Sequence, residues 1–148
     1  YGLKSKKEVW KTETILRNFR REARKLMAET GEQADKEAEQ LLSKLQSLKL
    51  VEKDSSIVDV LKLGIEDVLN RRLQSIVYKK GLAQTVKQAR QLVVHGHIVI
   101  GDRCVTEPGY LVPEDEEQEI DHHPSSSYKG TIKPEEVKSA RASTTIEE

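Results

Sequence analysis

The chain has 148 residues, enough for one ordinary domain or two small ones. Hydrophobic residues make up 36 % and charged residues 34 %, a polar profile with a lean core, and no apolar run approaches the ~20 residues of a membrane helix. Twenty-five basic residues balance twenty-five acidic ones, a total that by itself argues against a polyanionic partner, and an aromatic content of 4 % argues against extensive base stacking on aromatic platforms. The single cysteine, Cys104, excludes an internal disulfide and a multi-cysteine zinc site and fits a reducing, intracellular compartment. No secretory signal opens the chain, and its start at Tyr1 without a methionine points to a preceding segment.

Ser5-Lys6-Lys7-Glu8 has the form of a capping box, in which the Ser5 hydroxyl accepts from the Glu8 amide. A helix to about Ala28 follows, with Ile15, Leu16, Phe19, Ala23 and Leu26 on one face. Thr30-Gly31 ends it. A second helix, from about Glu32 to Leu50, carries Ala34, Ala38, Leu41, Leu42, Leu45 and Leu48 as its apolar stripe, and the two form an antiparallel hairpin. A short third helix is expected from Ser56 to Leu63, stopping at Gly64.

The pattern changes after Gly64. Glu66 to Lys80 reads as one helix, with Leu69, Leu73, Ile76 and Val77 inward, acids at its start and lysines at its end, as the helix dipole favours. Gly81 stops it. Thr85 caps a further helix, with Gln88 completing a second capping box, and Gly96 ends that helix. Ile98-Val99-Ile100 is a strand, Gly101-Asp102 a type II′ turn, and Arg103 to Thr106 the return strand. Pro108-Gly109 turns the chain toward Tyr110-Leu111-Val112, and Gln118 to Asp121 can add a short strand. The expected fold class is α+β: a helical domain over 1–64, a module of two helices and a short antiparallel sheet over 65–121, and a tail over 122–148 whose composition offers no core.

Zero net charge conceals two basic blocks. Residues 1–27 hold nine Lys/Arg against three Glu, and residues 71–103 hold seven against one Asp, a local excess of six in each. Phosphates respond to the local field and not to the sum. Arg17, Arg20, Arg21 and Arg24 fall within about a third of the first helix's circumference, away from its apolar face. Such a face is usually just solvated. Here the stripe is of one sign, which favours an external anion.

His95 and His97 flank Gly96. Metal binding would need further ligands such as His122 and His123, yet His-x-His here straddles a helix end and a strand start, and no H-E-x-x-H pattern is present. Catalysis would need a nucleophile and an orienting acid, and no Gly-x-Ser-x-Gly is present. The plainer reading makes Gly96 a backbone turn lined by the histidines. The helix pair and the hairpin after it would form one concave surface bordered by Arg71, Arg72, Lys80, Lys87, Gln88, Arg90, Gln91, His95 and His97, suited to folded RNA read by shape and 2′-hydroxyls.

The run from Leu73 to Ala83 (LQSIVYKKGLA), followed by Thr85 to Ile98 (TVKQARQLVVHGHI), resembles the RNA-binding module of the small-subunit ribosomal protein four family. The resemblance is specific over 65–121 and looser over the helical segment that opens Tyr1-Gly2-Leu3. The lack of an N-terminal cysteine cluster and the sequence Glu119-Ile120-Asp121 look archaeal-type. It implies a non-enzymatic constituent of the small ribosomal subunit, located on cytoplasmic ribosomes, that binds ribosomal RNA early in assembly and influences decoding accuracy. It implies no cofactor or metal, and as partners ribosomal RNA and neighbouring ribosomal proteins, with the chain a monomer within the ribosome and no membrane. Its RNA contacts would fall on Arg71, Arg72, Lys80, Thr85, Lys87, Gln88, Arg90, Gln91, His95 and His97. Where many relatives have Asn-Gly at the hairpin turn, this chain has Gly101-Asp102, which puts an acid near the RNA face. The acidic run Glu114 to Glu117 would point away from RNA, toward a basic protein neighbour. Two other readings compete. An RNA-modifying or tRNA-charging enzyme with such an accessory module would need a large catalytic domain. A DNA-binding helix-turn-helix repressor would prefer duplex DNA, but two-helix patterns are weakly specific.

Overall fold

The computed structural model describes residues 1–128; the part of the expected tail from 129 to 148 lies outside the described residues. The chain divides into two compact units: Leu3–Arg71, and Tyr1–Gly2 with the described residues from Arg72 onward.

The first unit is helical. Helix α1 spans Lys6–Ala28 and buries Thr12, Leu16, Phe19 and Ala23, a single stripe at helical spacing. Thr12 is tolerated inside because its hydroxyl donates to the Glu8 carbonyl at 3.0 Å. Ser5 is the N-cap, but by its carbonyl, which accepts from the Glu8 amide at 3.1 Å; its hydroxyl makes no capping bond. Helix α2, Glu32–Ser47, packs on α1 through Ala34, Leu41 and Leu45. It ends three residues before the expected Leu50. There the Lys49 amide bonds to the Gln46 carbonyl and the Leu50 amide to the Leu45 carbonyl, a Schellman closure with Lys49 at φ 54. The expected helix 56–63 is only a 3-10 turn, Asp59–Lys62. The Asp59 carboxylate takes the Ser56 amide and hydroxyl at 2.9 and 3.0 Å and the Lys62 ammonium at 2.7 Å. The Lys62 hydrogen bond, with those from Ser56, holds that carboxyl down at about 2.

The helix expected over 66–80 is two helices. Helix α3 is Ile65–Asn70, opened by the Asp67 carboxylate accepting the Gly64 amide at 2.8 Å, and it packs on α1. Helix α4 is Leu73–Lys79. Between them Arg72 is extended and its backbone bridges Leu111. The Leu73 amide donates to the Tyr110 carbonyl at 2.7 Å and the Gln74 amide to the Pro108 carbonyl at 3.3 Å. Bonds to a distant segment thus replace those of a continuous helix. The units divide here, between 71 and 72, and not at the expected 64/65, because α3 belongs to the α1 core.

In the second unit α4 packs against helix α5, Val86–Val94. Thr85 caps α5 by accepting the Gln88 amide at 3.1 Å, while Gln88 Oε1 accepts the Gln84 amide at 2.8 Å. Strand β1 (Ile98–Ile100) is buried throughout and lies between β2 (Arg103–Cys104) and β3 (Ile120–His122), antiparallel to both. The β1–β2 register leaves Gly101-Asp102 as the two-residue loop, with Gly101 at φ 58, as a type II′ turn requires. A short helix α6, Glu114–Gln118, leads into β3. Leu73, Ile76, Val77, Leu92, Val93, Ile98 and Val112 form the centre of the core. Residues 122–128, expected to begin the tail, belong to this unit. His122 ends β3, the His123 amide donates to the His97 carbonyl at 2.8 Å, and Ser126 is buried. No helix among the described residues is long and apolar enough to cross a membrane.

Gly96 sits at φ 74. Its amide bonds to the Val93 carbonyl and the His97 amide to the Leu92 carbonyl, at 3.1 and 2.9 Å, a second Schellman closure. A Cβ here would also come within 3.3 Å of Cys104 Sγ. Gly96→Ala should cost about 1–2 kcal/mol of unfolding free energy, the penalty of a left-handed non-glycine residue. Chemical denaturation measures it. Because the penalty lies in the backbone, adding Cys104→Ala should restore little, and full recovery would place it in the sulfur contact instead.

Candidate nucleic-acid interface

Helix α5 contains no acidic residue. Its core side is Ala89, Leu92 and Val93. Lys87 and Gln91, one turn apart, are exposed, with Arg90 half-buried beside them and His95 exposed at the C-cap. Val94 also lies open on this side, 50 % exposed. The sequence pattern, read as a plain apolar stripe, gave no reason to single it out. The surface is therefore a short cationic strip with amide and imidazole donors and an apolar contact.

Other expected contacts are spent within the fold. Arg71 and Arg72 are buried, at 9 % and 4 % exposure, so neither presents its guanidinium on an open surface. The Arg72 main chain is pinned to Leu111, which draws the side chain inward. Lys80 reaches the Gln118 and Ile120 carbonyls, each at 3.3 Å, and ties α4 to the start of β3. Thr85 and Gln88 serve the α5 cap, although the Gln88 Nε2 group and the Thr85 O–H keep donors for a ligand.

His95 and His97 part company. His95 is exposed. His97 is half-buried, its Nδ1 3.1 Å from Ser126 Oγ and its ring edge-on to Tyr128 with centroids 5.1 Å apart. Residues 123–128, read from the sequence as tail, cover the histidine that was expected to meet RNA. No pattern in the sequence announces that long-range cover.

His122 lies beneath, at 6 % exposure, and neither ring nitrogen has a hydrogen-bond partner of good geometry. Burial holds its imidazole below the ordinary 6.5, and His97 pushes the same way; the Asp121 carboxylate and the backbone of Leu82 and His97 oppose. At the hairpin, Arg103 donates to Tyr110 Oη at 3.0 Å and pairs with Glu116 at 3.2 Å, and Tyr110 Oη donates to Glu116 at 2.8 Å. Burial, with Glu116 beside it, raises the Tyr110 phenol, while Arg103 opposes. One member of the acidic run is thus drawn onto the module's own arginine.

In the helical unit, Arg17, Arg20 and Arg24 line a groove of ≈ 910 Å³ together with Lys62, which the sequence pattern did not place there. Arg21 is exposed but is not part of that lining. Arg20 Nη2 donates to the Leu63 carbonyl at 2.5 Å and Arg24 Nε to the Arg20 carbonyl at 3.3 Å. Glu13, Glu66 and Asp67 share the groove, so its field is mixed and not purely cationic.

Two packed helices leading into a small antiparallel sheet, with an acid-free helix face toward solvent, define a small nucleic-acid-binding module. The family model of the S4 domain matches residues 71–117. Over 132 residues the chain is 51 % identical to a small ribosomal subunit protein uS4 of Methanothermobacter thermautotrophicus, covering 89 % of this chain and 77 % of that one. It is 48 % identical to proteins of the same name from Hyperthermus butylicus, over 96 % of this chain and 81 % of the relative, and from Methanococcus aeolicus, over 95 % and 80 %. The chain belongs to the small ribosomal subunit protein uS4 family, and these three relatives are archaeal. It is accordingly a structural, non-enzymatic protein of the cytoplasmic ribosome.

The buried His122 makes a pH prediction. The folded protein favours the neutral ring, so the unfolded chain takes up a proton first, near pH 6.5. Stability from this site is complete above that pH and is lost as the pH falls toward the lowered folded value. Denaturation midpoints across this range should fall with acid, and His122→Phe should flatten the fall. An identical profile in the variant would assign the acid sensitivity to other groups.

Proposed function

We propose that this chain binds small-subunit ribosomal RNA directly and early, helps to nucleate assembly of the subunit, and contributes to decoding accuracy. It does so as a monomer held by RNA and by neighbouring ribosomal proteins. The observation that carries the reading is the solvent side of α5, where Lys87, Arg90, Gln91 and His95 stand with no acid on the helix. Lysine and arginine there meet phosphates; Gln91 and His95 can reach 2′-hydroxyls or base edges across a shallow minor groove. The Arg17, Arg20 and Arg24 groove, with Arg21 beside it, is a second anchor for the RNA backbone. The exposed acids Glu114 and Asp115 of α6 face a basic protein neighbour.

Thr85, Gln88 and Lys80 act mainly by holding the binding helix in place. Arg71 and Arg72 support the fold. Function is divided along the chain, with a helical part to Arg71 and the module after it.

Co-sedimentation with small subunits through a high-salt wash, beside direct binding to purified small-subunit ribosomal RNA, tests the whole reading. Retention with specific binding is expected, and a protein that ignores this RNA would sink it. Lys87→Ala and Arg90→Ala should each weaken binding by about 1–3 kcal/mol, as for lost charge-assisted bonds. Each should also lower the salt slope by roughly 0.7–0.9 if a phosphate is lost. Arg72→Ala should instead lower the melting temperature, with RNA affinity of the folded fraction retained. Weaker RNA binding at unchanged stability would return Arg72 to the interface.

A further inference from the structure

The buried stripe of α1 is Thr12, Leu16, Phe19 and Ala23. Trp10 is not on it. The only tryptophan of the chain is 58 % exposed. It lies in a surface depression of ≈ 520 Å³ lined by Lys7, Trp10, Lys11, Thr14 and Ile15, two cations and no acid. The Thr14 hydroxyl donates back to the Trp10 carbonyl at 2.8 Å, so its proton is committed to the main chain. What remains open is a flat indole with an apolar flank and two ammonium groups. Single exposed apolar side chains are common and need no explanation. A large aromatic seated between lysines is a different surface, because it pairs a π face with phosphate-binding charge.

Its position adds to this. Arg17 follows Trp10 by seven residues, about two helical turns, and so falls on the same side of α1 roughly 10 Å further along. That rise is about three stacked nucleotides of a single strand. Arg17 lines the arginine groove. A strand whose phosphate meets Arg17 can therefore lay a base on the indole.

We propose that Trp10 is a stacking platform for one unpaired nucleobase of the bound RNA, with Lys7 and Lys11 holding the adjoining phosphates. This rests on the reading that the chain binds RNA. A π face accepts any base, so the platform contributes affinity and registers the strand, and does not read its sequence.

Because Trp10 is the sole tryptophan, its fluorescence reports the site alone. The full chain is titrated with purified small-subunit ribosomal RNA, and gel shift measures binding independently. Binding is expected to quench Trp10 and to shield it from acrylamide. Trp10→Ala should weaken binding roughly tenfold while leaving the salt slope unchanged, since no phosphate contact is lost. Trp10→Phe should recover part of the loss. RNA bound by gel shift, with the indole still open to acrylamide and Trp10→Ala at full affinity, overturns the platform and leaves the RNA reading standing. Shielding that needs added small-subunit proteins, and not RNA, overturns it in favour of a protein contact. Absence of any gel shift removes both proposals together.

Discussion

Two main-chain hydrogen bonds, from the Leu73 and Gln74 amides to the Tyr110 and Pro108 carbonyls, organise the second unit. The first amides of any helix have no partner within it. Here α4 begins without a side-chain cap, and a segment more than thirty residues on supplies the acceptors. A buried amide left unmade would cost about 1–3 kcal/mol. The strap therefore has to be in place for α4 to start at Leu73. It also terminates the run that would otherwise continue from α3, buries Arg72, and places Val112 in the core. Gln74 fastens the other side. Its buried amide donates to the Val86 carbonyl at 2.9 Å and to the Gly2 carbonyl at 3.3 Å, joining α4, α5 and the chain's first residues. Gly2 has φ 66, and a side chain there would press into Val86 at 2.7 Å, which explains why the docked residue is glycine.

This frame decides how charge is used. Over the whole chain the balance is zero. Surface fields fade over about 8–10 Å at physiological salt, so distant acids do not cancel a local cationic strip. On α5 the strip is pure. In the α1 groove it is tempered by Glu13, Glu66 and Asp67. The two surfaces therefore differ in kind: one presents cations with no acid on its helix, while the other sets carboxylates beside its arginines and ties Arg20 and Arg24 to main-chain carbonyls.

Much of this fold was legible in the sequence because its signals are local. The stripes of α1 and α2, the Thr85 cap, the Gly96 stop and the Gly101-Asp102 turn each follow from spacing or from one residue's backbone freedom. The break at Arg71-Arg72 was not legible. Leu69, Leu73, Ile76 and Val77 keep helical phase across it, and only the distant Pro108 and Tyr110 carbonyls interrupt the helix. The same limit explains the site. Lys87, Gln91 and His95 are exposed because helical phase puts them there. Arg72, Lys80 and His97 look equally available in one dimension, yet Lys80 and His97 are taken by partners from residues 118–128, and Arg72 is buried where its main chain bridges Leu111.

His95 and His97 make the point most sharply, since one glycine separates them. In a Schellman closure the glycine reverses the backbone, so the residues before and after it leave the helix end by different routes. His95 stays with the helix and keeps its face to solvent. His97 enters the sheet edge, where the chain beyond β3 returns over it through His123, Ser126 and Tyr128. Convergence on a shared metal or proton is thus not what the motif builds. It builds a corner, and the corner leaves one imidazole open to solvent at the end of α5 and packs the other against Ser126 and Tyr128.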